Sequence, residues 1–325
     1  PLCFGGKLVV YNNTIDVDID KIFRNQELTI IKLTPIHLKE AVALTQTEKL
    51  NNLQSLILGG EELVTDVAQM CLEQFGEHIK IHNEYGPTES TVGCCDYIYT
   101  KDITTRTVSI GKPIANTQIH ILDGILPCGF GVPGELCISG VGLARGYLNQ
   151  PVLTVEKFQD SLIDTMRLYR TGDLARWSSD GNIEYLGRID EQVKIRGFRV
   201  ELGEVAANIK NIDGISDVAV IANDDNGTKY LAAYLVANEP IDLEDIRGKL
   251  SKELPNYMIP ARFAQIKEIP VNSNGKLNKR ALPSIDIVST NHYVAPKNQL
   301  ESVLCEIFET ILHVDKIGIK DNFFE

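Results

Sequence analysis

Short apolar runs alternate with stretches of helical periodicity over the first hundred or so residues of the chain. Runs of apolar and β-branched residues predict strands, and apolar residues that recur every three or four positions predict helices between them. The predicted strands are Lys7–Tyr11, Thr29–Leu33, Leu53–Leu58 and Ile79–His82, and the predicted helices are Ile19–Arg24, one that starts at Pro35, and Glu61–Phe75. Strands separated by helices indicate βαβ units around a parallel sheet.

From residue 106 the pattern changes to short strands punctuated by glycine, as at Thr117–Leu122, Glu135–Ser139 and Asn182–Leu186. Closely spaced strands and turn residues predict a compact β-rich subdomain. The polar stretch Gly187–Gln192 then interrupts the pattern. We place a domain boundary after residue 189, so that Asp190 begins the next domain.

Beyond this boundary the pattern predicts a small α+β domain, residues 190–283. Val193–Arg199 alternates apolar and basic residues, which predicts a ribbon strand with one face in water. The other predicted elements are the helices Glu201–Ile209 and Leu243–Leu254 and the strands Val218–Ile221, Tyr230–Val236 and Arg262–Ile269. A polar linker, 284–295, leads to a helix that starts at Pro296, within residues 296–325. The fold class is therefore a multidomain combination of an α/β region (1–105), a β-rich subdomain (106–189) and an α+β domain.

Composition argues against several classes of protein. A net charge of −12 and a pI near 5.1 argue against nucleic-acid binding, which needs a basic surface. We find no signal peptide and no apolar run long enough to span a bilayer. The seven cysteines show no CxxC spacing. We therefore expect buried, reduced thiols and a cytoplasmic protein rather than a disulfide framework or a zinc site.

The candidate chemistry begins at the segment Asn83–Glu89, which follows a predicted strand and turns at Gly86. Ligands of open α/β sheets bind in the crevice at the carboxyl ends of the strands. The ring of Tyr85 can stack on a base, the hydroxyl of Thr88 can bond a phosphate, and the carboxylate of Glu89 suits Mg²⁺. The alternative is a polar turn that binds nothing.

Two further charged residues suit nucleotide chemistry. Asp173 follows the turn residue Gly172, where a carboxylate can accept both hydroxyls of a ribose; a turn-capping aspartate is the alternative. Tyr185 is a candidate wall of the same site or, alternatively, a core residue. Lys276 follows the tight-turn pair Asn274–Gly275. It is either a solvated surface charge or a mobile cation for a developing negative charge.

Several short motifs in fixed order carry a resemblance to a known family. They are Asn83–Glu89, Gly134–Gly140, Gly142–Tyr147, Tyr169–Asp173, Gly187–Asp190 and Asn274–Lys276. Together they closely resemble the adenylation domain of a nonribosomal peptide synthetase, over the whole chain. Residues 296–325 resemble the start of a peptidyl carrier (thiolation) domain and stop before its phosphopantetheine serine. The resemblance implies the adenylate-forming (acyl-adenylate synthetase) fold, with part of a large N-terminal domain and a small mobile C-terminal domain.

The resemblance implies ATP-dependent formation of an aminoacyl-adenylate and its transfer to the phosphopantetheine thiol of a carrier domain. ATP and Mg²⁺ would be the cofactors. Lys276 would be the catalytic lysine, Thr88 would bind phosphate and Glu89 would bind Mg²⁺. Asp190 would be the hinge, and Lys194 and Gly197 would lie beside the pantetheine path. The implied nucleotide-binding residues are Gly60, Glu61, Asn83, Tyr85, Gly86, Asp173, Tyr185 and Arg188. The family's phosphate loop and its aspartate for the substrate's amino group precede this region and are not among these residues.

In the family, the residues of the substrate pocket are located by their offsets from the motifs. Here they are Lys32, Ile57, Gly59, Glu84, Val92, Gly93 and Lys276. Lys32 offers a donor and Glu84 an acceptor, as a carboxamide requires, and the small Gly59 and Gly93 leave room for a short polar side chain. The set resembles the family's asparagine-selecting pattern, with aspartate and glutamine as alternatives. A structural Lys32–Glu84 ion pair is a further alternative, which is compatible with function.

Two other classes of function remain open on the sequence. One is an acyl-CoA synthetase or luciferase-like enzyme, which shares the adenylate-forming fold, and the other is a non-catalytic interaction fragment. The form of Asn83–Glu89 and the carrier-like tail argue against the first. The expected partners are an amino acid, a carrier domain and neighbouring synthetase modules, with neither nucleic acid nor membrane among them.

Overall fold

The computed structural model describes residues 3, 5–9, 19–44, 50–103, 105–160, 166–190, 192–195, 197–225, 228–272, 277–285, 294–312 and 317–319. The chain divides into two compact units, Pro1–Arg199 and Val200–Glu325. In the described part of the chain, two hydrophobic clusters are formed by residues of the first unit and another by residues of the second unit. The domain boundary predicted after residue 189 lies ten residues before this division, and it stays a prediction.

The first sheet of the first unit has five strands in the order β1-β2-β3-β4-β5. The elements of this region are α1 (Ile19–Phe23), β1 (Ile30–Leu33), α2 (Pro35–Leu44), β2 (Ser55–Gly59), α3 (Thr65–Phe75), β3 (Lys80–Tyr85), β4 (Cys95–Ile98) and β5 (Lys112–Pro113). β1, β2 and β3 are parallel, and the pairs β3–β4 and β4–β5 are antiparallel. The predicted βαβ arrangement is confirmed, and it brings the carboxyl ends of three strands to one edge.

Alternation along the strands directs one face of this sheet into a hydrophobic core. Leu56 and Leu58 of β2 and Ile81 of β3 are buried, and the residues between them reach a partly exposed face. The helices pack on the same core, where the rings of Phe23 and Phe75 lie 5.0 Å apart. Burying one such leucine contributes about 2 kcal/mol to stability. The opposite, wetter face is therefore the one left for polar chemistry.

Two predicted elements differ from the structure. α3 begins at Thr65 rather than Glu61, because Val64 has extended backbone and bridges Thr107. The predicted strand Lys7–Tyr11 is wrong for its described residues 7–9, which are not in a strand. Among the described residues β1 is the edge of its sheet, so no strand pairs beyond it. Residues 10 and 11 lie outside the described part of the chain.

The second sheet of the first unit has six strands, in the order β11-β10-β8-β6-β7 with β9 paired to β10. Its elements are β6 (Thr117–Asp123), β7 (Leu126–Pro127), β8 (Gly134–Gly140), α4 (Pro151–Lys157), β9 (Phe158–Asp160), β10 (Arg167–Trp177) and β11 (Ile183–Arg188). The register of β10 shifts around Gly172, whose φ is 72°. This irregularity places Asp173 opposite Arg188 of β11.

After this sheet, β12 (Val193–Ile195) and β13 (Phe198–Val200) pair as a two-stranded ribbon. The second unit contains α5 (Leu202–Lys210), β14 (Ile215–Asp225), β15 (Thr228–Ala237), α6 (Leu243–Glu253), β16 (Arg262–Ile266) and α7 (Gln299–Leu312). β14–β15 is antiparallel and β15–β16 is parallel. The other helices and strands predicted for this part are present, with their ends shifted by a few residues, but Val193–Arg199 contains two paired strands rather than the one strand predicted. Lys276 lies outside the described residues. No helix in the described part of the chain is both long and apolar enough to cross a membrane.

Candidate functional site

The carboxyl ends of β1, β2 and β3 border a cavity of about 430 Å³ within the first unit. The parallel register sets Lys32 beside Ile57 and Gly59 beside Glu84. Four of the predicted pocket residues line this cavity, namely Lys32, Gly59, Glu84 and Val92. Ile57 lies deeper along β2 and Gly93 lies against Glu84, so neither is part of the wall.

Lys32 and Glu84 form an ion pair, which was one of the alternatives predicted from the sequence. The ammonium of Lys32 donates to Oε2 of Glu84, and the two side chains are 51% and 24% exposed. A pair this exposed contributes little to stability, about 1 kcal/mol or less. The pair therefore lies at the cavity wall, open to solvent, rather than inside the core.

The two predicted glycines of the pocket make room for Glu84. A Cβ on Gly93 would lie 2.5 Å from Cδ of Glu84, and a Cβ on Gly59 would lie 3.0 Å from its carbonyl oxygen. We predicted that these glycines leave space for a substrate side chain. At Gly93 the space is filled by the Glu84 side chain, so this glycine positions the carboxylate.

Further residues predicted to bind the nucleotide meet at one buried carboxylate. Tyr85 donates its hydroxyl hydrogen bond to Oδ2 of Asp173, and Nη1 of Arg188 lies 3.0 Å from Oδ1. The hydroxyl of Tyr185 is 3.5 Å from the same Oδ1, and the rings of Tyr85 and Tyr185 are 6.2 Å apart. Burial raises the pKa of Asp173, although Tyr85 and Arg188 act in the opposite direction. The fold thus gathers a carboxylate, two rings and a guanidinium, the groups expected around a nucleoside.

The remaining residues of the Asn83–Glu89 segment shape the backbone. Asn83 is buried, and its Nδ2 donates to the carbonyl oxygens of residues 108 and 109 at 3.2 and 2.8 Å. A Cβ on Gly86 would lie 1.6 Å from the carbonyl oxygen of Val92, so only glycine fits. Thr88 opens a short 3-10 turn, after which Thr91 and Val92 both have positive φ, 63° and 70°. Two such non-glycine residues in succession are strained, a condition that is common at ligand-binding loops.

Glu89 is held by two side chains from other parts of the first unit. Its side chain is buried, Nη1 of Arg199 lies 2.8 and 2.9 Å from the two carboxylate oxygens, and the hydroxyl of Tyr147 donates to Oε1 at 2.7 Å. Burial alone would raise the pKa of Glu89, but Tyr147 and Arg199 outweigh burial and lower it. Sequence reasoning missed Arg199 and Tyr147, because they lie 110 and 58 residues from Glu89 in the chain.

This arrangement does not fit a magnesium ion at Glu89. Both carboxylate oxygens already accept from protein donors. Across the described residues, no group of three or more His, Cys, Asp or Glu side chains could hold a metal. The expected Mg²⁺ role of Glu89 therefore disagrees with the arrangement in this structure.

The ribbon supplies the other contacts of the site within the first unit. The backbone N–H of Gly197 donates to Oε1 of Glu61 at 2.6 Å, next to Gly60. Lys194 lies near Asp173, and burial lowers its pKa. The predicted hinge residue Asp190 accepts from the guanidinium of Arg188. Gly60, Glu61, Lys194 and Gly197 thus lie in one neighbourhood of the first unit.

Two models of known protein families match this chain. The model for the AMP-binding enzyme family matches residues 1–148, and that for the AMP-binding enzyme C-terminal domain matches residues 204–276. The chain is 43% identical over its whole length to bacitracin synthase 3 of Bacillus licheniformis, and covers 5% of that protein. It is 42% identical over 97% of its length to gramicidin S synthase 1 of Brevibacillus brevis, and covers 29% of that protein. The chain thus spans a small part of the curated relatives that it matches.

Two solved structures are similar to this chain in fold. PA1221, described as an NRPS protein containing adenylation and PCP domains, superposes with a TM-score of 0.76 and 26% identity. The match covers 94% of this chain and 51% of that one. The o-succinylbenzoate CoA synthetase of Bacillus subtilis superposes with a TM-score of 0.71 at 20% identity, over 81% of this chain and 53% of that one. At 20% identity, the similarity to the CoA synthetase shows that the two proteins share a fold.

Proposed function

The chain belongs to the AMP-binding enzyme family, and from that premise we propose that it is the amino-acid-activating region of a nonribosomal peptide synthetase. Two observations support the proposal. Relatives at 43% and 40% identity are bacitracin synthase 3 and tyrocidine synthase 3. A solved structure similar along almost the whole chain is an NRPS protein with adenylation and PCP domains.

The proposed reaction has two steps. An amino-acid carboxylate oxygen attacks the α-phosphorus of ATP, and pyrophosphate leaves. The thiol sulfur of a carrier's phosphopantetheine then attacks the carbonyl carbon of the aminoacyl-adenylate, and AMP leaves while the thiol proton is lost. The enzyme's part in such a transfer is mainly positioning and stabilisation of developing charge.

The nucleoside site is the carboxylate of Asp173 with the rings of Tyr85 and Tyr185. A bound ribose would take over the acceptor positions that Tyr85 and Arg188 now use. Thr88 would donate to a phosphate oxygen, as the resemblance implies. Lys276, from the Asn274–Lys276 motif, would neutralise charge between carboxylate and α-phosphate. Asp190 would be the hinge between the two steps, and Lys194 and Gly197 would border the pantetheine in the second.

The single observation that carries the substrate assignment is the cavity wall. It presents an ammonium, Lys32, and a carboxylate, Glu84, side by side at the ends of neighbouring strands. A carboxamide can insert between them, because its oxygen accepts from Lys32 and its NH₂ donates to Glu84. An aspartate side chain would face Glu84 with like charge. We therefore propose L-asparagine as the activated amino acid.

The test is ATP–pyrophosphate exchange with a panel of amino acids. The assay uses the chain alone and the chain joined to the N-terminal part of its adenylation domain, since the chain covers about half of the similar adenylation–PCP protein. We expect exchange with asparagine at least about tenfold above every other amino acid, a difference of about 1.4 kcal/mol. Lys276→Ala should lose exchange while its unfolding temperature is unchanged.

Each other outcome rejects a stated part of the proposal. Exchange with a different amino acid would keep the reaction and reject asparagine. Exchange with fatty or aryl acids alone would indicate an acyl-CoA synthetase. No exchange with any acid in either form of the protein would reject the enzyme and leave an interaction fragment.

A further inference from the structure

The cavity at the ends of β1, β2 and β3 contains a polar side chain that no motif of the sequence assigns. His37, near the start of α2, lines the cavity together with Lys32 and Glu84. Its side chain is half-buried. Ligand cavities hold a small number of polar groups that fix the orientation of the ligand. His37 is therefore a candidate for contact with the substrate.

Thr34 fixes the ring of His37. Its Oγ1 lies 2.8 Å from Nδ1 of the ring. The methyl group of Thr34 packs beside Gly60, where an added Cβ would lie 3.6 Å from Cγ2. No other described group of the protein hydrogen-bonds the ring. Nε2 is therefore the ring nitrogen that is left for a ligand in the cavity.

A side-chain carboxamide needs more hydrogen-bond partners than Lys32 and Glu84 supply. Its oxygen can accept two hydrogen bonds and its NH₂ can donate two. Lys32 and Glu84 can each satisfy one of these sites. Neutral imidazole donates or accepts at Nε2, according to its tautomer. His37 can therefore satisfy a further site of the same amide.

The charge of His37 also decides the net charge of the cavity wall. The charges of Lys32 and Glu84 cancel, and no other described residue of the wall carries a fixed charge. Among the described residues, α1, β2 and the loop after β3 contribute only apolar side chains and glycines to the wall, and α3 contributes none. On α2 itself, Lys39 and Glu40 are exposed and lie outside the wall. The wall is thus neutral when the imidazole is neutral, and positive when the imidazole is protonated.

On the basis of the function proposed above, we propose that His37 is a specificity-determining residue of the amino-acid site. Nε2 of the neutral ring hydrogen-bonds the carboxamide of asparagine. The neutral wall leaves the charge of Glu84 to repel an aspartate side chain. A protonated ring would attract that side chain instead, so the discrimination between asparagine and aspartate depends on the charge of His37.

The experiment compares asparagine with aspartate as the pH is lowered. Pyrophosphate exchange is measured from about pH 8.5 to about pH 6, the range in which imidazole gains a proton. The protein is the chain joined to the N-terminal part of its adenylation domain, and the quantity is the ratio of kcat/KM for the two amino acids. Lysine, glutamate and aspartate side chains keep their charges over this range. Effects of pH that both amino acids share cancel in the ratio.

We expect the asparagine-to-aspartate ratio of the wild type to fall at least about tenfold as the pH is lowered. In His37→Gln the ratio should be independent of pH, because an amide can donate and accept but does not take up a proton. His120→Gln is the matched control and should behave as the wild type. Nε2 of His120 also lies near a hydroxyl, 3.2 Å from Oγ of Ser139, but on the second sheet and outside the cavity. The proposal is overturned if the wild-type ratio does not change with pH, or if His37→Gln keeps the wild-type change.

Histidine ring signals in NMR spectra report on His37 without catalysis. Aspartate should raise the titration midpoint of the His37 signal, which His37→Gln identifies, because a ligand that prefers the protonated ring stabilises that form. A midpoint that aspartate leaves unchanged would also overturn the proposal. Circular dichroism and unfolding temperature show whether the variants are folded, and His37→Asn replaces His37→Gln if the latter is not.

The two measurements separate the role of His37 from the proposed function. Exchange that selects asparagine, with a ratio that does not change with pH, would reject the role of His37 alone. A raised midpoint without exchange of any amino acid would reject the proposed function alone.

Discussion

Glu84 shows how one residue depends on the glycines around it. Its carboxylate reaches Lys32 because Gly93 has no side chain. In a Gly93→Ala variant the new Cβ would lie 2.5 Å from Cδ and Oε1 of Glu84. The obstructed atoms are the end of a flexible side chain, so we expect the fold to persist and the carboxylate to move away from Lys32. A substrate carboxamide would then lose its hydrogen bond to the charged Glu84, which is worth about 1.5–3 kcal/mol of binding free energy.

Gly93→Ala should therefore lower kcat/KM for asparagine in pyrophosphate exchange by about tenfold or more, with KM for ATP unchanged. Gly129→Ala is the control, since a Cβ there meets no atom within 4 Å. An unchanged kcat/KM for asparagine would show that the position of Glu84 does not matter to the substrate. Equal losses for asparagine and ATP would indicate a general distortion of the loop.

Single residues also mark the limit of the sequence-based predictions. Tyr85 and Asp173 lie 88 residues apart yet share a hydrogen bond, and the motifs had already assigned both to the nucleotide. Arg199 and Tyr147 belong to no ligand assignment, and the sequence has no feature that directs them to Glu89. Their contact depends on how the second sheet and the ribbon meet the first sheet. That long-range packing is not encoded in any local pattern.

Among the elements, the loop after β3 is packed tightly around Gly86. A Cβ on Gly86 would lie 1.6 Å from the carbonyl oxygen of Val92 and 2.8 Å from the amide nitrogen of Cys94. Both are backbone atoms, which cannot turn away as a side-chain end does. We expect Gly86→Ala to cost more than about 4 kcal/mol in the free energy of unfolding, a loss typical of severe steric conflict.

Urea unfolding of Gly86→Ala against Gly129→Ala measures this cost. The control should stay within about 1 kcal/mol of the wild type, because its Cβ meets open space. A similar small effect for Gly86→Ala would mean that the loop can relax around Val92. The loop would then be less rigid than its close contacts indicate.

The turn between β10 and β11 gives a pH-dependent prediction. Hydrogen bonds from the Ser178 hydroxyl and the Asn182 backbone and amide lower the pKa of Asp180 to about 2. A depressed pKa means that the stabilising effect is present above the unfolded value of 3.8 and is lost as pH falls through about 2. An NMR titration of Asp180 should show its midpoint near pH 2, and Ser178→Ala should move it towards 3.8. A midpoint near 3.8 in the wild type would contradict the turn geometry.

Elements were predicted well where local periodicity decides and less well where distant partners decide. The strands β1, β2 and β3 and the helices between them follow from apolar spacing, and they are present. The start of α3 moved to Thr65, because Val64 pairs with Thr107, a residue far away in the chain. Lys7–Val9 looks like a strand, but a strand needs a neighbour, and Leu8 is 62% exposed. The pattern of one segment does not show whether a neighbouring strand is present to pair with it.

For the whole molecule, the two compact units predict two unfolding transitions. Two clusters of the first unit are built from described residues between Ile19 and Tyr185, and a cluster of the second unit is built from described residues between Ala219 and Ile285. Leu235 of β15 and Leu56 of β2 are both fully buried, one in each unit. Replacing either by alanine leaves a cavity and costs about 2–5 kcal/mol. In a domain of this size, such a loss lowers the unfolding temperature by roughly 10 °C.

Differential scanning calorimetry should therefore show that Leu235→Ala lowers one transition and that Leu56→Ala lowers the other. The reason is that each cavity weakens only the core in which it lies. Each variant serves as the control for the other, because the substitution is the same. If either variant moved both transitions together by the same amount, the units would unfold as one cooperative body.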